Sequence, residues 1–197
     1  MRLKALKVAL ILASLTSVII LSPSLFSVLH SMSSESYSEL YILGPNHAAK
    51  TFPFNIRNNE AYRIFLGIGN HIGSAAQYAV FVKLRNQSES SPDQKTSNPS
   101  PIPALNSYYI SLPNGEYWET SIDFHFGGLN FSGNNYVVEY IVMNDVVINI
   151  NKTFSWDSER KGFYLQLFFE LWIRDPESNE FLFHNRSVGI WLNITAS

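Results

Sequence analysis

Between Trp118 and Phe126 every second residue belongs to one class: Trp118, Thr120, Ile122, Phe124 and Phe126 alternate with Glu119, Ser121, Asp123 and His125. Two residues is the repeat of an extended chain, whose side chains point to opposite faces in turn, so the first set is expected to face a core. Tyr62, Ile64, Leu66 and Ile68 repeat the rule, as do Tyr78, Val80, Val82 and Leu84, and then Tyr108, Ile110 and Leu112. No apolar i, i+3, i+4 pattern is sustained after Tyr37, which excludes a helical body. The spacing predicts an all-β domain of eight or nine short antiparallel strands in two packed sheets, with an eight-stranded barrel as the alternative.

Turn residues divide the strands. Gly69, Gly73 and Ser74 separate the first two, and Gly67-Ile68-Gly69 is read as a strand end. Asn86 to Ala104, rich in Ser, Pro, Asn and Gln, is expected to be an exposed excursion. Pro113-Asn114-Gly115-Glu116 has the chemistry of a tight hairpin, because Asn-Gly accepts the positive φ such turns need. Gly127 to Asn135 reads as a loop, and Tyr136 to Met143 with Val146 to Ile150 as a hairpin about Asn144-Asp145. Gly162 to Arg174 and Ser187 to Thr195 read as another, joined across Asp175 to Asn179.

The first thirty residues obey a different rule. Arg2, Lys4 and Lys7 precede an apolar run beginning at Val8, interrupted by Ser22-Pro23-Ser24 and resumed to Leu29. Read to Leu29 it has the roughly 20 residues that span a ~30 Å hydrocarbon layer, and read to Leu21 it has the length of a cleavable signal core. Residues 1–30 are therefore expected to be a signal anchor or signal peptide, 31–36 a tether and 37–197 the extracytoplasmic domain. Basic residues lie only on the N-terminal flank, which places the N-terminus in the cytoplasm and the body outside. A single-pass membrane protein held by residues 8–29 is the favoured arrangement, with secretion after cleavage as the alternative.

With Lys+Arg 14 against Asp+Glu 16, there is no charge excess to neutralise a phosphate backbone, so nucleic acid is not an expected partner. Cysteine is absent, which excludes disulfides, thiolate metal sites and a cysteine nucleophile. The sequons at Asn86, Asn130, Asn151, Asn185 and Asn193 are possible N-glycosylation sites, and none falls on an expected core position.

The phrases Ser38 to Pro45 (SELYILGP), Gly67 to Gly73 (GIGNHIG), and Phe183 to Arg186 with Gly189 to Asn193 resemble an archaeal membrane-protein family, domain of unknown function 1616, over roughly Tyr37 to Ala196. The resemblance implies an archaeal source and an Ig-like sandwich, and it implies no activity. The multi-span membrane part of that family is replaced here by one apolar segment.

Catalytic signals are weak. His30, His47, His71, His125 and His184 show no ligand-pair spacing, so no metal or other cofactor is expected; His47 and His71 would be the pair to test. Glu119 and Asp123 share a strand face, but at about 13 Å of backbone they are too far apart for most acid–base pairs. The chain is expected not to be an enzyme. One anomaly points to binding: the strand from Phe163 is aromatic-rich on both faces, and its polar-side stripe of Tyr164, Phe168 and Trp172, joined by Trp191, is either covered by a loop, Asn86 to Ala104 or Gly127 to Asn135, or exposed as an aromatic platform. The expected function is a tethered binding module of the archaeal envelope, taking an envelope protein or glycan. A structural accessory ectodomain is the alternative, and a surface glycan-acting enzyme a more distant one.

Overall fold

The computed structural model describes residues 36–195, and every regular element there is a strand: β1 (Tyr37–Leu43), β2 (Asn55–Ile56), β3 (Tyr62–His71), β4 (Ala76–Arg85), β5 (Asn106–Leu112), β6 (Tyr117–Ser132), β7 (Asn135–Met143), β8 (Val146–Ser155), β9 (Phe163–Arg174) and β10 (Phe181–Ile194). They form two five-stranded sheets, ordered β1-β3-β6-β7-β8 and β2-β10-β9-β4-β5. No strand ladder joins the sheets among the described residues, so the fold is a sandwich and not a barrel. The signal or anchor segment and all of the tether except Ser36 lie outside the described residues.

The alternating sets meet between the sheets. Ile64, Leu66 and Ile68 of β3, with Ile122, Phe124 and Phe126 of β6, face Val80, Val82 and Leu84 of β4 and Leu165, Leu167, Phe169 and Leu171 of β9, all at or near zero exposure. Each such side chain removed from water contributes about 1.5–3 kcal/mol. The connectivity is Ig-like. β1, β3, β6, β7 and β8 share one sheet, while β4, β5, β9 and β10 share the other, and the chain crosses between them after β3, after β5 and after β8. β1 also hands over to β2, which lies parallel to β10 with Asn55 beside Asn193.

That crossing corrects the hairpin expected at Pro113 to Glu116. Gly115 does take φ +81°, but β5 pairs with β4 and β6 with β3. Asn-Gly fixes the sharpness of a reversal and says nothing about which sheet receives the next strand. The crossing turns after β3 and after β5 are instead bound to each other through Asn70, which is fully buried. Its side-chain N–H groups donate to the carbonyls of Ser74 (2.9 Å) and Leu112 (2.8 Å), and its Oδ1 accepts from the Tyr78 hydroxyl (3.1 Å) and the Ile72 amide (3.2 Å). Gly115 N donates to Asn70 O at 2.6 Å, and Gly73 N to Asn114 Oδ1 at 2.7 Å.

Glycine misled in two further places. Gly67 and Gly69 lie inside β3, and Gly127 and Gly128 inside β6, which runs on to Ser132 before a short turn at Gly133-Asn134. A Cβ at Gly67 would stand 2.1 Å from the Tyr41 ring, one at Gly69 2.7 Å from Tyr117, and one at Gly127 2.1 Å from Tyr140. These glycines give the neighbouring strand's tyrosine a place to lie, a use within a strand that composition alone does not separate from a loop. β10 begins at Phe181, earlier than expected, because a register shift between Phe183 and Arg186, with Asn185 at φ 54°, interrupts the polar–apolar alternation.

Candidate interaction surface

The outer face of the second sheet is built by register. Along β9 its outward residues are Tyr164, Gln166, Phe168, Glu170, Trp172 and Arg174. Phe168 sits between Lys83 of β4 and Gly189 of β10, Glu170 between Phe81 and Ser187, Trp172 between Ala79 and Phe183, and Gln166 between Arg85 and Trp191. The four residues of the aromatic stripe do not share one fate. Phe168 is 2% exposed, whereas Tyr164, Trp172 and Trp191 are half-buried.

The segment between β4 and β5, from Asn86 to Leu105, covers the middle of this face. Its Ser100 is buried against an ion pair that belongs to the sheet: Lys83 Nζ lies 2.7 Å from Glu170 Oε2 and donates to Ser100 O at 2.7 Å, while Ser100 N donates to Glu170 Oε1 at 2.7 Å. Glu170 is 0% and Lys83 5% exposed. Desolvating two charges is expensive, and here two of the contacts to the pair fasten the covering segment, while the Trp172 indole N–H donates to Glu170 Oε2 at 3.4 Å. On one side of the cover, Trp191 lies under the guanidinium groups of Arg85 (4.9 Å to the ring centroid) and Arg160 (5.9 Å).

On the other side the cover ends and the aromatic surface opens. Trp172 meets Phe81 edge-on at 5.3 Å and Phe183 at 5.9 Å, and Tyr109 of β5 reaches across the sheet to Phe181 of β10 at 5.5 Å. Tyr109 is 65% exposed, and Phe81, Trp172, Phe181 and Phe183 are half-buried. Phe81, Tyr109, Phe181 and Phe183 join Trp172 here only through the register. The alternation of Val80 with Val82 and of Tyr108 with Ile110 already puts Phe81 and Tyr109 on the outer face, but Phe181-Leu182-Phe183 is apolar at consecutive positions, so alternation there does not say which residue points out.

The remaining expected residues are dispersed. Glu119 Oε1 lies 3.1 Å from His47 Nδ1, and Glu119 accepts from the Tyr41 hydroxyl at 3.4 Å. Asp123 takes a two-pronged contact from Arg63 (2.5 and 2.9 Å), which holds its carboxyl below the usual range. His71 belongs to Tyr117 (3.0 Å) and Glu39 (3.7 Å), so His47 and His71 serve different glutamates, while His125 is half-buried on the outer face of β6. His184 Nε2 pairs with Ser38 Oγ at 3.0 Å, and burial, followed by the charge of Arg186, pushes its pKa down. Among the described residues no group of three His, Asp or Glu side chains is arranged to hold a metal ion; His30 lies outside them.

The sequon asparagines sit in different settings. Asn130 and Asn151 are exposed, and Asn86 closes its own turn, accepting from Ser88 N and Oγ. Asn185 and Asn193 are half-buried; Asn193 donates to Asn55 Oδ1 at 3.0 Å and accepts from Phe163 N at 3.1 Å.

The profile of the family described as Domain of unknown function (DUF1616) matches residues 31–160. The chain belongs to that family. The DUF1616 match spans β1 to β8, so the closing phrases in β10 lie beyond it. No curated protein matches the chain. Similar solved structures include the CARDB domain of a Pyrococcus furiosus protein in complex with di-metal ions (9% identity, 83% of this chain and 97% of that one, TM-score 0.40), a β-glucosidase from Listeria innocua in complex with glucose (10%, 82% and 16%, TM-score 0.37) and β-glucuronidase 2 of Bacteroides uniformis (9%, 77% and 12%, TM-score 0.35). The chain spans less than a fifth of the two glycosidases. At these TM-scores the likenesses carry no argument about this DUF1616 chain's activity.

Proposed function

We propose that this chain is a membrane-tethered, extracytoplasmic Ig-like binding module of the archaeal cell envelope, docking an envelope protein or its glycan on the aromatic surface around Trp172. The observation that carries the reading is the group of five rings, Phe81, Tyr109, Trp172, Phe181 and Phe183, left open beyond the covering segment. Aromatic side chains left in water on a sheet face contribute nothing to the core, and such patches commonly mark interaction sites. Tethering rests on the basic flank and apolar run of residues 2–29. The reading is a non-catalytic one: the carboxylates near histidines are engaged one by one with separate partners, not aimed together into a cleft.

The test is affinity purification from native membranes with the wild-type chain and a Trp172→Ala/Tyr109→Ala variant. A partner recovered with the wild type and reduced about tenfold with the variant supports the reading. Equal recovery overturns the docking site. A partner recovered at fixed stoichiometry, whose loss destabilises this protein, would favour the structural-ectodomain alternative. Recovery in the soluble fraction, starting near residue 30, would replace tethering by secretion.

A further inference from the structure

A second aromatic site lies where β6, β7, β8 and β9 converge, apart from the Trp172 surface. Phe163, at the start of β9, is the hub: Tyr136 meets it edge-on at 4.8 Å, Trp156 at 5.1 Å and Phe131 at 5.9 Å. These rings, with Lys161, Asn193 and Thr195, line an open cleft of about 460 Å³. Phe163 belongs to the core at 8% exposure, but Phe131 is 59% and Trp156 45% exposed. About half of the Phe131 and Trp156 surface therefore faces water and stabilises nothing inside the domain.

The polar groups of the lining narrow the occupant. Within the described residues the Trp156 indole N–H, the Tyr136 hydroxyl and the Lys161 ammonium make no hydrogen bond or ion pair, while Asn193 and Thr195 are already engaged. Of the acids close by in sequence, Glu159 forms no ion pair with Lys161, and Asp157 is occupied by Gln87 Nε2 and the amides of Glu159 and Arg160. The cleft thus offers flat apolar walls with unspent donors and one uncompensated cation. An aliphatic or aromatic side chain would use the walls and leave the donors idle. A sugar ring uses both, its C–H face against the aromatic rings and its oxygens on the donors, and a carboxylate on the ring adds the cation.

We propose that this cleft is a saccharide subsite that prefers an acidic sugar, a hexuronate, over a neutral hexose. The proposal names a ligand class for the binding-module reading and rests on it, at a site distinct from the Trp172 surface.

The test is a fluorescence and calorimetric titration of the membrane-extracted full chain with trigalacturonate and, separately, with maltotriose. Expected are a change in tryptophan emission on adding trigalacturonate, a Trp156→Ala or Phe131→Ala variant binding about tenfold more weakly with an unchanged melting temperature, and a Lys161→Met variant that no longer distinguishes the two sugars. Absence of binding by either sugar at millimolar concentration overturns the subsite. Binding unaffected by Trp156→Ala and Phe131→Ala overturns its location, and equal affinity for the two sugars in the wild type overturns the acidic preference. Trp172→Ala/Tyr109→Ala leaves the titration unchanged, so failure here and failure of the docking surface read out separately.

Discussion

Removing one member of the Lys83–Glu170 pair tests how the covering segment is held. Glu170→Ala leaves the Lys83 ammonium with only the Ser100 carbonyl, in a site where its side chain is 7% exposed, and leaves the Ser100 amide without its acceptor. Breaking a buried pair from one side costs about 3–5 kcal/mol. Lys83→Met leaves the Glu170 carboxylate buried without its cation and should lose a similar amount, about 3–5 kcal/mol. Lys83→Met/Glu170→Leu removes both charges and keeps the volume but leaves the buried Ser100 amide and carbonyl without partners, so it should lose about 2–4 kcal/mol, well short of the sum of the two single losses. Urea unfolding reads this directly through the midpoint at constant slope. A single-variant loss under 1 kcal/mol, or a double variant equal to the sum of the singles, would refute the argument that the pair acts as one desolvated unit.

Other expectations follow from single contacts. Asn70→Ala removes four side-chain hydrogen bonds, to Ser74, Ile72, Tyr78 and, across to the other crossing turn, Leu112, and should cost about 3–4 kcal/mol in urea unfolding, at about 1 kcal/mol per bond. His184 has its pKa lowered in the fold, so the unfolded chain takes up the proton first. Its contribution is whole above about pH 6.5, the ordinary histidine value, and is lost as the pH falls toward the folded value. Thermal melts from pH 7.5 to 5 should show this decline, and His184→Gln should flatten it. Arg63→Ala should leave stability almost unchanged, because both partners of the Asp123 pair are about half exposed; a clear fall of the midpoint in the same unfolding assay would contradict surface screening.

The sheets were legible wherever alternation ran unbroken. β3, β4 and β6 could be assigned face by face because Ile64, Val80 and Ile122 stand in runs where each second residue is apolar. What escaped was set by contacts between distant segments. The covering segment is anchored by Ser100, 70 positions before its acceptor Glu170, in a stretch whose composition reads as solvated. Gly127 looks like a loop residue until Tyr140 is placed over it, and Asn114-Gly115 looks like a hairpin until the next strand joins the other sheet. The aromatic stripe was visible as an anomaly, but its division into a covered centre and an open end is a property of the covering segment and not of β9.

That division gives the second sheet an adjustable footprint. Ser100 is the buried residue of the segment from Asn86 to Leu105, and the residues on either side of it run mostly over the surface. Changes of length between Ser100 and Leu105 would advance or withdraw the cover over Trp172 while the ion pair beneath keeps its place. The breadth of aromatic surface offered to a partner can thus change without any alteration to the core, much as a shutter sets an aperture without touching the wall behind it.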